Sequence, residues 1–480
     1  MVPIQHKTKK LYLKNYLMKT IAISIYDGDT EKNILRSGVL DVLKKSDNKI
    51  ILLIRGGVKN ERVAYYEEHF QDDNVLIVPI PNALTTFERW MFHFCWNSLP
   101  TRSAYVKRHD LYLKHRNIFR YTLELTAGFL GKYRMWREII RWFYFILPDN
   151  YAKDIFEKYK PDILFAPNMF SAEDCRLLRS ARKMGIRTIT MAKSWDVPTT
   201  RGFTRVKADS ILVFNEINKQ EIIDVGDYDA GCVHVVGFPQ FDSYINQNLY
   251  SPRKDFFEQM GIQKDKELVL FAVPGDFKNP YSHEIMEQLD RAVEDGKFVR
   301  PVQFLARFHP KYPSKGEMLK NLKHFTLDRP GTYFSKTLER SVDAPSSETF
   351  QWTYTDKDIL HLINSLHHSV VVVNTESTIT LDAAAIDRPV VLVGFDGNQK
   401  LSYWNSIIRN YDREHLIEVL KTNGTRLSRD FEELVDNINA YLKDPKLDAR
   451  GRELLRDRLL YRVDGKSSQR VAAQVLKMLN

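Results

Sequence analysis

A chain of 480 residues exceeds what one hydrophobic core of ordinary size organises and fits two domains. Hydrophobic residues make up 43% and charged residues 28%, the balance of a folded globular protein, which excludes an intrinsically disordered chain. Seventy-one Lys and Arg against 61 Asp and Glu give a net charge of +10, which favours anionic partners (nucleotide phosphates, nucleic acid or an acidic membrane surface) without choosing among them.

The first expected strand, KTIAISIYDG (19–28), closes on Asp27 and Gly28, and ILRSGVLDVLKK after it has the apolar period of a helix. KIILLIRGG (49–57) and NVLIVPIP (74–81) are the next strands. A helical insert follows over 84–148, in which aromatic and basic residues interleave with few acids. Strands resume with DILFAPN (162–168), RTITMAK (187–193), SILVFN (210–215) and VHVVGFP (233–239). A polar stretch, 240–266, breaks the alternation and reads as the link between domains. The pattern restarts with ELVLFAVPGD (267–276), VQFLARFHP (302–310), FQWTYT (350–355), SVVVVN (369–374) and PVVLVGFDG (389–397). Short apolar strands alternating with helices predict parallel sheets covered on both faces, so the architecture is α/β with two doubly wound halves. Ligands of such sheets bind beyond the carboxyl ends of the strands, which makes the polar strand ends the places to examine.

Three strand ends in the second half carry chemistry suited to an anion. In VVVVNTESTITLDAAA the strand stops at Asn374, and Thr375, Glu376, Ser377 and Thr378 lead into a helix. Hydroxyls, backbone N–H groups and the helix dipole there suit a diphosphate, while Glu376 and Asp382 offer carboxylates to sugar hydroxyls. An ordinary Ser/Thr helix cap is the plain alternative. In LARFHPKYP, Arg307 and His309 end a buried-looking strand; a buried guanidinium needs an anion, either a ligand or an internal Asp. In FAVPGDFKNP, Gly275 lets backbone approach a ligand, or simply makes a turn.

These strand ends in their order, with RFHP before STxxxxAAxxxxPVV, resemble the donor-binding half of GT-B glycosyltransferases of bacterial surface polysaccharide synthesis, related to the CDP-glycerol glycerophosphotransferase-like group. SWDVPTTRGF (194–203) is similar to the SWDNLTxxG segment of surface-carbohydrate transferases, with Val197 in place of the usual asparagine. GFPQFD (237–242) resembles a G-x-P-x-x-D strand end, and YRVDGKSSQRVAAQVL (461–476) a closing D-G-K-x-x-x-R-(V/I) segment. The resemblance covers about 160–480 and implies two Rossmann-like domains facing a cleft. The boundaries expected are 1–245 for the N-terminal acceptor domain and 246–480 for the C-terminal nucleotide-donor domain, the last helix returning to the first.

What the resemblance implies is a glycosyltransferase that moves a sugar from a nucleotide-activated donor to a cell-surface polysaccharide or glycolipid acceptor, without a metal or other cofactor. Gly275, Arg307, His309, Thr375, Ser377 and Thr378 would hold the donor's phosphates or nucleotide, and Glu376 or Asp382 its hydroxyls. Catalytic candidates are His309 and, for the base on the acceptor hydroxyl, Asp29 or Asp196, with Asp27 and Glu173 behind them. Alternatives are a CDP-glycerol glycerophosphotransferase-like enzyme, a UDP-sugar 2-epimerase, or a non-catalytic nucleotide-sugar-binding scaffold. The epimerase turn carries paired glycines after the serine, where this chain has Thr378 and Ile379.

Cys95, Cys175 and Cys232 lie far apart and form no CxxC pair or even disulfide set, as expected of a reducing cytoplasm. Neither a signal peptide nor a membrane span is evident, so the expected place is the cytoplasm, at the inner face of the cell membrane. The insert suits peripheral contact with anionic lipid near a lipid-linked acceptor, or a groove for an acidic glycan. It equally fits a helical subdomain with its aromatics inside and a solvated basic face. No nucleic-acid-binding pattern is present.

Overall fold

The computed structural model describes residues 18–56, 60–83, 85–340 and 348–480; residues 1–17, Gly57 and Leu84, which the expected first domain, second strand and insert include, lie outside them. Seven strands form the first sheet: β1 (Thr20–Ile25), β2 (Lys49–Arg55), β3 (Val75–Ile80), β4 (Ile163–Ala166), β5 (Arg187–Met191), β6 (Ser210–Val213) and β7 (Val233–Val235). Their order is β3-β2-β1-β4-β5-β6-β7 and every pairing is parallel. Ile21, Ile23, Ile50, Leu52 and Ile163 pack under one face and Ala22, Ile51, Leu53 and Leu164 under the other. The near-continuous apolar runs follow from that double burial.

Downstream come β8 (Glu267–Val273), β9 (Val302–Phe308), β10 (Phe325–Asp328), β11 (Thr332–Arg340), β12 (Glu348–Thr353), β13 (Ser369–Asn374), β14 (Val390–Val393) and β15 (Thr425–Ser428). Six of them make a second parallel sheet, β10-β9-β8-β13-β14-β15. Strand order reverses between β1 and β4 in the first sheet and between β8 and β13 in the second. A doubly wound sheet opens its ligand crevice at such a point.

One expected strand belongs elsewhere. The 350–355 segment contributes β12, which pairs antiparallel with β11 in a separate two-stranded ribbon rather than joining the parallel sheet. Its polar–aromatic alternation suits a ribbon with one covered face, not a strand buried on both. The ribbon reaches the first domain: Trp352 packs so close to Gly28 that a Cβ there would sit 3.1 Å from the indole. Thr353 Oγ1 donates to the buried carboxylate of Glu31.

Four helices build the insert: Thr86–Asn97, Arg102–His115, Ile118–Leu130 and Arg134–Ile146. Thr85, Thr101 and Asn117 cap the first three, each side chain accepting from the N–H three residues on. Polarity in the insert is mixed: Met91, Trp96, Ile140 and Tyr144 are buried and most of the bases are exposed, but three arginines turn inward. Arg137 and Arg141 turn inward onto Asp227, with contacts of 2.8 and 2.6 Å to its Oδ2, and Arg108 lies buried against the carbonyls of Asn97 and Leu99. Large apolar side chains of the last two helices face outward instead.

The helix Ser467–Leu479 closes the chain by packing on the helix Val39–Lys44 of the first domain. Asp242 receives the N–H groups of Ser467 and Ser468 at 3.0 and 2.7 Å. Arg470 Nε donates to the Val236 carbonyl at 2.8 Å, while its other nitrogens hold Asp464. The two segments GFPQFD and DGKSSQR thus form opposite sides of one clasp.

Candidate active site

The strand ends at the two switch points face each other across a cleft. Its main cavity, about 220 Å³, is walled on one side by Asp29, Lys32, Asn33, Lys193, Ser194 and Gln240. The other wall is Gly275, Lys278, Arg307, His309, Thr375, Ser377, Thr378 and Asp382, with Phe214, Phe238 and Leu362 supplying apolar surface. A second lobe of about 120 Å³ adjoins it, lined by Asp196, Arg201, Lys311 and, from the insert, Phe92. Asp29, Lys193, Ser194, His309 and Tyr312 line both lobes and mark where they join.

On the C-terminal wall, β13 ends at Asn374, whose fully buried side chain makes the turn itself. Its Oδ1 accepts from Ser377 N at 3.1 Å and its Nδ2 donates to Thr380 Oγ1 at 3.2 Å. Glu376 takes a positive φ of 37°, unusual for a side chain with a Cβ, and the turn thereby presents Thr375, Ser377 and Thr378 to the cavity. Glu376 itself points elsewhere. Its carboxylate faces Arg413 at 3.5 Å and Lys278 at 4.0 Å and does not line the cavity, contrary to the hydroxyl-binding position expected for it. Asp382, one turn into the next helix, does line it and accepts from Tyr244 Oη at 2.6 Å. Burial pushes the Asp382 carboxyl above the usual range.

Arg307 has an internal partner. Its Nη1 lies 2.5 Å from Asp328 Oδ2, which also meets His361 Nε2 at 2.9 Å. Nη2 of the same guanidinium is buried without a protein acceptor, at a residue that lines the cavity, so one arm of the fork is held by the fold and the other has no hydrogen-bond partner in it. His309 stands solvent-accessible in the cleft. Its Nδ1 accepts the Lys311 N–H at 3.0 Å, which leaves Nε2 as the protonated nitrogen of the neutral ring. The enclosing walls and then the Lys278 ammonium lower its basicity, so the ring is a hydrogen-bond donor at neutral pH. Gly275 is required by packing as well as by the cavity: a Cβ there would come within 2.4 Å of Tyr312 Cβ.

On the N-terminal wall, Asp27 caps the helix Gly28–Ile34 through Thr30, as a residue closing β1 should. Lys193, at the end of β5, reaches across to Asp27 at 2.9 Å and Asp29 at 3.1 Å. Burial works against ionisation of Asp29, but the Lys193 ammonium outweighs it and holds the carboxyl below the ordinary range. Asp196 is kept low in the same way, burial being outweighed by the neighbouring His415 and by a hydrogen bond from Ser194. Both candidate bases are therefore carboxylates at neutral pH, but only Asp29 borders the main cavity. Glu173 is committed to the interior, paired with Arg55.

Sequence reasoning passed over Lys193, Lys278 and Lys32. The signal was present for the first: a cation at a strand's carboxyl end, as with Arg307. Lys278 sits three residues beyond Gly275, and Lys32 on the helix after β1 lies 5.6 Å from the Tyr354 ring centroid. The cleft thus sets ammonium groups and the Arg307 guanidinium around hydroxyls and backbone at a turn, with carboxylates opposite. Such an arrangement has the charge and donors to suit a multiply charged anion, with a proton acceptor beside it. Among the described residues, no group of three His, Cys, Asp or Glu side chains is placed to hold a metal ion.

No family model matches the sequence, and no curated protein matches it. Solved structures with the same arrangement of domains include UDP-GlcNAc 2-epimerase from Neisseria meningitidis bound to UDP-GlcNAc, at TM-score 0.55 and 11% identity over 96% of this chain and 100% of that one. UDP-GlcNAc 2-epimerase from Methanocaldococcus jannaschii is similar at TM-score 0.52 and 11% identity, covering 95% and 99%. A glycosyltransferase from Rickettsia africae is similar at TM-score 0.50 and 12% identity, covering 96% and 100%. Identity that low speaks for the fold, which is GT-B-like: two parallel-sheet α/β domains facing a cleft.

Proposed function

We propose that this GT-B-like chain is a glycosyltransferase that moves a sugar from a nucleotide-activated donor to a cell-surface polysaccharide or glycolipid acceptor without a metal ion. The observation that carries this reading is that Arg307, His309 and Ser377, from three separate strand ends, line one cavity with Asp29 and Lys193 of the other domain. In it the diphosphate lies on the 375–378 turn, against the Arg307 guanidinium, whose Nη2 has no partner in the fold, and the Lys278 ammonium, with Nε2–H of His309 donating to it. Asp382 and Gln240 face the hydroxyls of the sugar or ribose. The acceptor enters through the second lobe, and Asp29, at the junction, takes the proton of its hydroxyl. That oxygen bonds to the sugar's anomeric carbon as the bond to the diphosphate breaks, and the leaving oxygens keep the electron pair. Fixed cations and dipoles stabilise the charge that develops there.

A thermal-shift screen against UDP-, GDP-, CMP-, CDP- and dTDP-linked compounds tests the reading, because a ligand bound only by the folded state raises the melting temperature. One nucleotide class should register. Lys278→Ala and Ser377→Ala should weaken it roughly tenfold, about the loss of one charge-assisted hydrogen bond, with the unliganded melting point unchanged. If no nucleotide shifts the melting point, the donor site is misplaced. The likeness to UDP-GlcNAc 2-epimerases gives a second reading on the same cavity. Incubation without acceptor separates them: a 2-epimer in solution replaces transfer, binding without turnover points to a scaffold, and response to CDP-glycerol alone points to glycerophosphate transfer.

A further inference from the structure

The helices Ile118–Leu130 and Arg134–Ile146 are amphipathic the wrong way round for a subdomain standing in water. On the second, Arg137, Ile140, Arg141 and Tyr144 are buried, the two arginines on Asp227, whereas Met135, Ile139, Trp142 and Ile146 are exposed. Exposure reaches 74% at Met135 and 63% at Trp142, and Phe119 on the preceding helix stands at 73%. On the second helix the exposed apolar residues recur at helical spacing and form one apolar stripe; on the first, exposed Ile118, Phe119, Leu123 and Phe129 are interspersed with Thr122 and Thr126. The two helices meet at the 131–133 turn, where the Phe129 and Tyr133 rings are 5.9 Å apart and the Lys132 ammonium lies 5.5 Å from the Phe129 ring centroid.

We infer that this face docks on an anionic lipid surface. The charge around it chooses the occupant. Lys114, Arg116, Lys132 and Arg134 are exposed on or beside these helices, while Glu124 is buried and paired with Arg120, and the partly exposed Glu138 is shared among Arg134, Arg141 and Lys207, which leaves an excess of positive charge. A second copy of the chain seated on this patch would gather the excess cations of both copies into one interface. A lipid bilayer accepts Phe, Trp and Met at the acyl boundary and attracts Lys and Arg to its headgroups. Neither helix crosses the membrane: each has 13 residues, about 20 Å, and among the described residues none is long and apolar enough to span. The face thus lies in the interface plane. This inference stands apart from the donor reading, since docking needs no occupant in the cleft.

Sedimentation of the full chain with phosphatidylcholine vesicles, with and without phosphatidylglycerol, tests it. Binding should be at least about tenfold tighter to the anionic vesicles and should weaken with salt. The triple variant Phe119→Ser, Met135→Ser, Trp142→Ser should lose at least about tenfold while keeping the wild-type melting point, all three side chains being exposed. The pair Lys132→Glu, Arg134→Glu should lose the preference for anionic lipid. Failure to sediment, or a triple variant that binds like the wild type, overturns the proposal. So does a wild-type dimer in light scattering that the triple variant turns into a monomer, because the face would then belong to a second copy.

Discussion

At His309 a single backbone contact decides what the ring can do. The Lys311 N–H occupies Nδ1, so the neutral ring offers Nε2–H to the cleft and no lone pair for a proton. With the enclosing cleft walls and then Lys278 lowering its basicity, the ring stays neutral throughout the range where a free histidine titrates. The sign follows: a lowered folded pKa means the unfolded state binds more protons below about pH 6.5, so any stability effect appears on acidification and none above neutrality. In activity, kcat/KM should show no inflection between about pH 6 and 7, and His309→Gln, which keeps a donor, should retain more turnover than His309→Ala. An acid limb near pH 6.5 that vanishes in His309→Gln would make the ring a base instead. The residue was legible in the sequence as a polar strand end. Its role as donor was not, because Nδ1 is engaged by a turn that only the folded chain forms.

The insert shows the same division one level up. That the insert is helical was readable in the sequence, but its division into four helices and the direction each faces were not, because a basic–aromatic alternation is compatible with either side inward. The decisive group is Asp227, far away in sequence, which offers one buried carboxylate to two arginines. Asp227→Asn keeps the shape and the positive φ of 59° that asparagine tolerates, yet leaves the buried Arg137 guanidinium without its counter-ion and Arg141 with Glu138 alone. Removing one partner of a buried pair costs about 3 kcal/mol. Urea or thermal unfolding should therefore show a large loss, and the helix Arg134–Ile146 should become the first segment cut by a protease. A near-neutral Asp227→Asn would mean that the inward face is held by packing alone. The 350–355 strand failed for a related reason: its pattern was correctly extended, but which sheet an extended segment joins depends on partners that local sequence does not name.

Across the whole molecule the two domains are tied by contacts that line no cleft. Arg409 meets Asp110 at 2.7 Å, Ser103 N donates to Glu414 at 2.8 Å, and the His109 and Trp404 rings meet at 4.0 Å between centroids, tilted by 45°, so the insert braces the second domain. On the opposite strap, Asp242 caps the closing helix. Asp242→Ala should cost roughly 1–2 kcal/mol, the value of a lost helix cap, and expose the last helix to limited proteolysis while nucleotide binding persists. An unchanged melting point with a protected tail would show that the Val39–Lys44 contact suffices. Gly237, at φ 78° and with Ser467 Oγ where a Cβ would go, explains why that clasp begins with glycine.

The sequence by itself determined two doubly wound halves and most of the strand ends that carry charge, because apolar period and chain-breaking polar residues are local properties. Tertiary structure alone decided that Arg307 lines the cavity with one arm of its fork held by Asp328, that Glu376 turns away toward Arg413, and that Lys193 reaches Asp27 and Asp29. Those outcomes depend on distances between residues more than 20 positions apart, and such distances exist only once the sheets have packed.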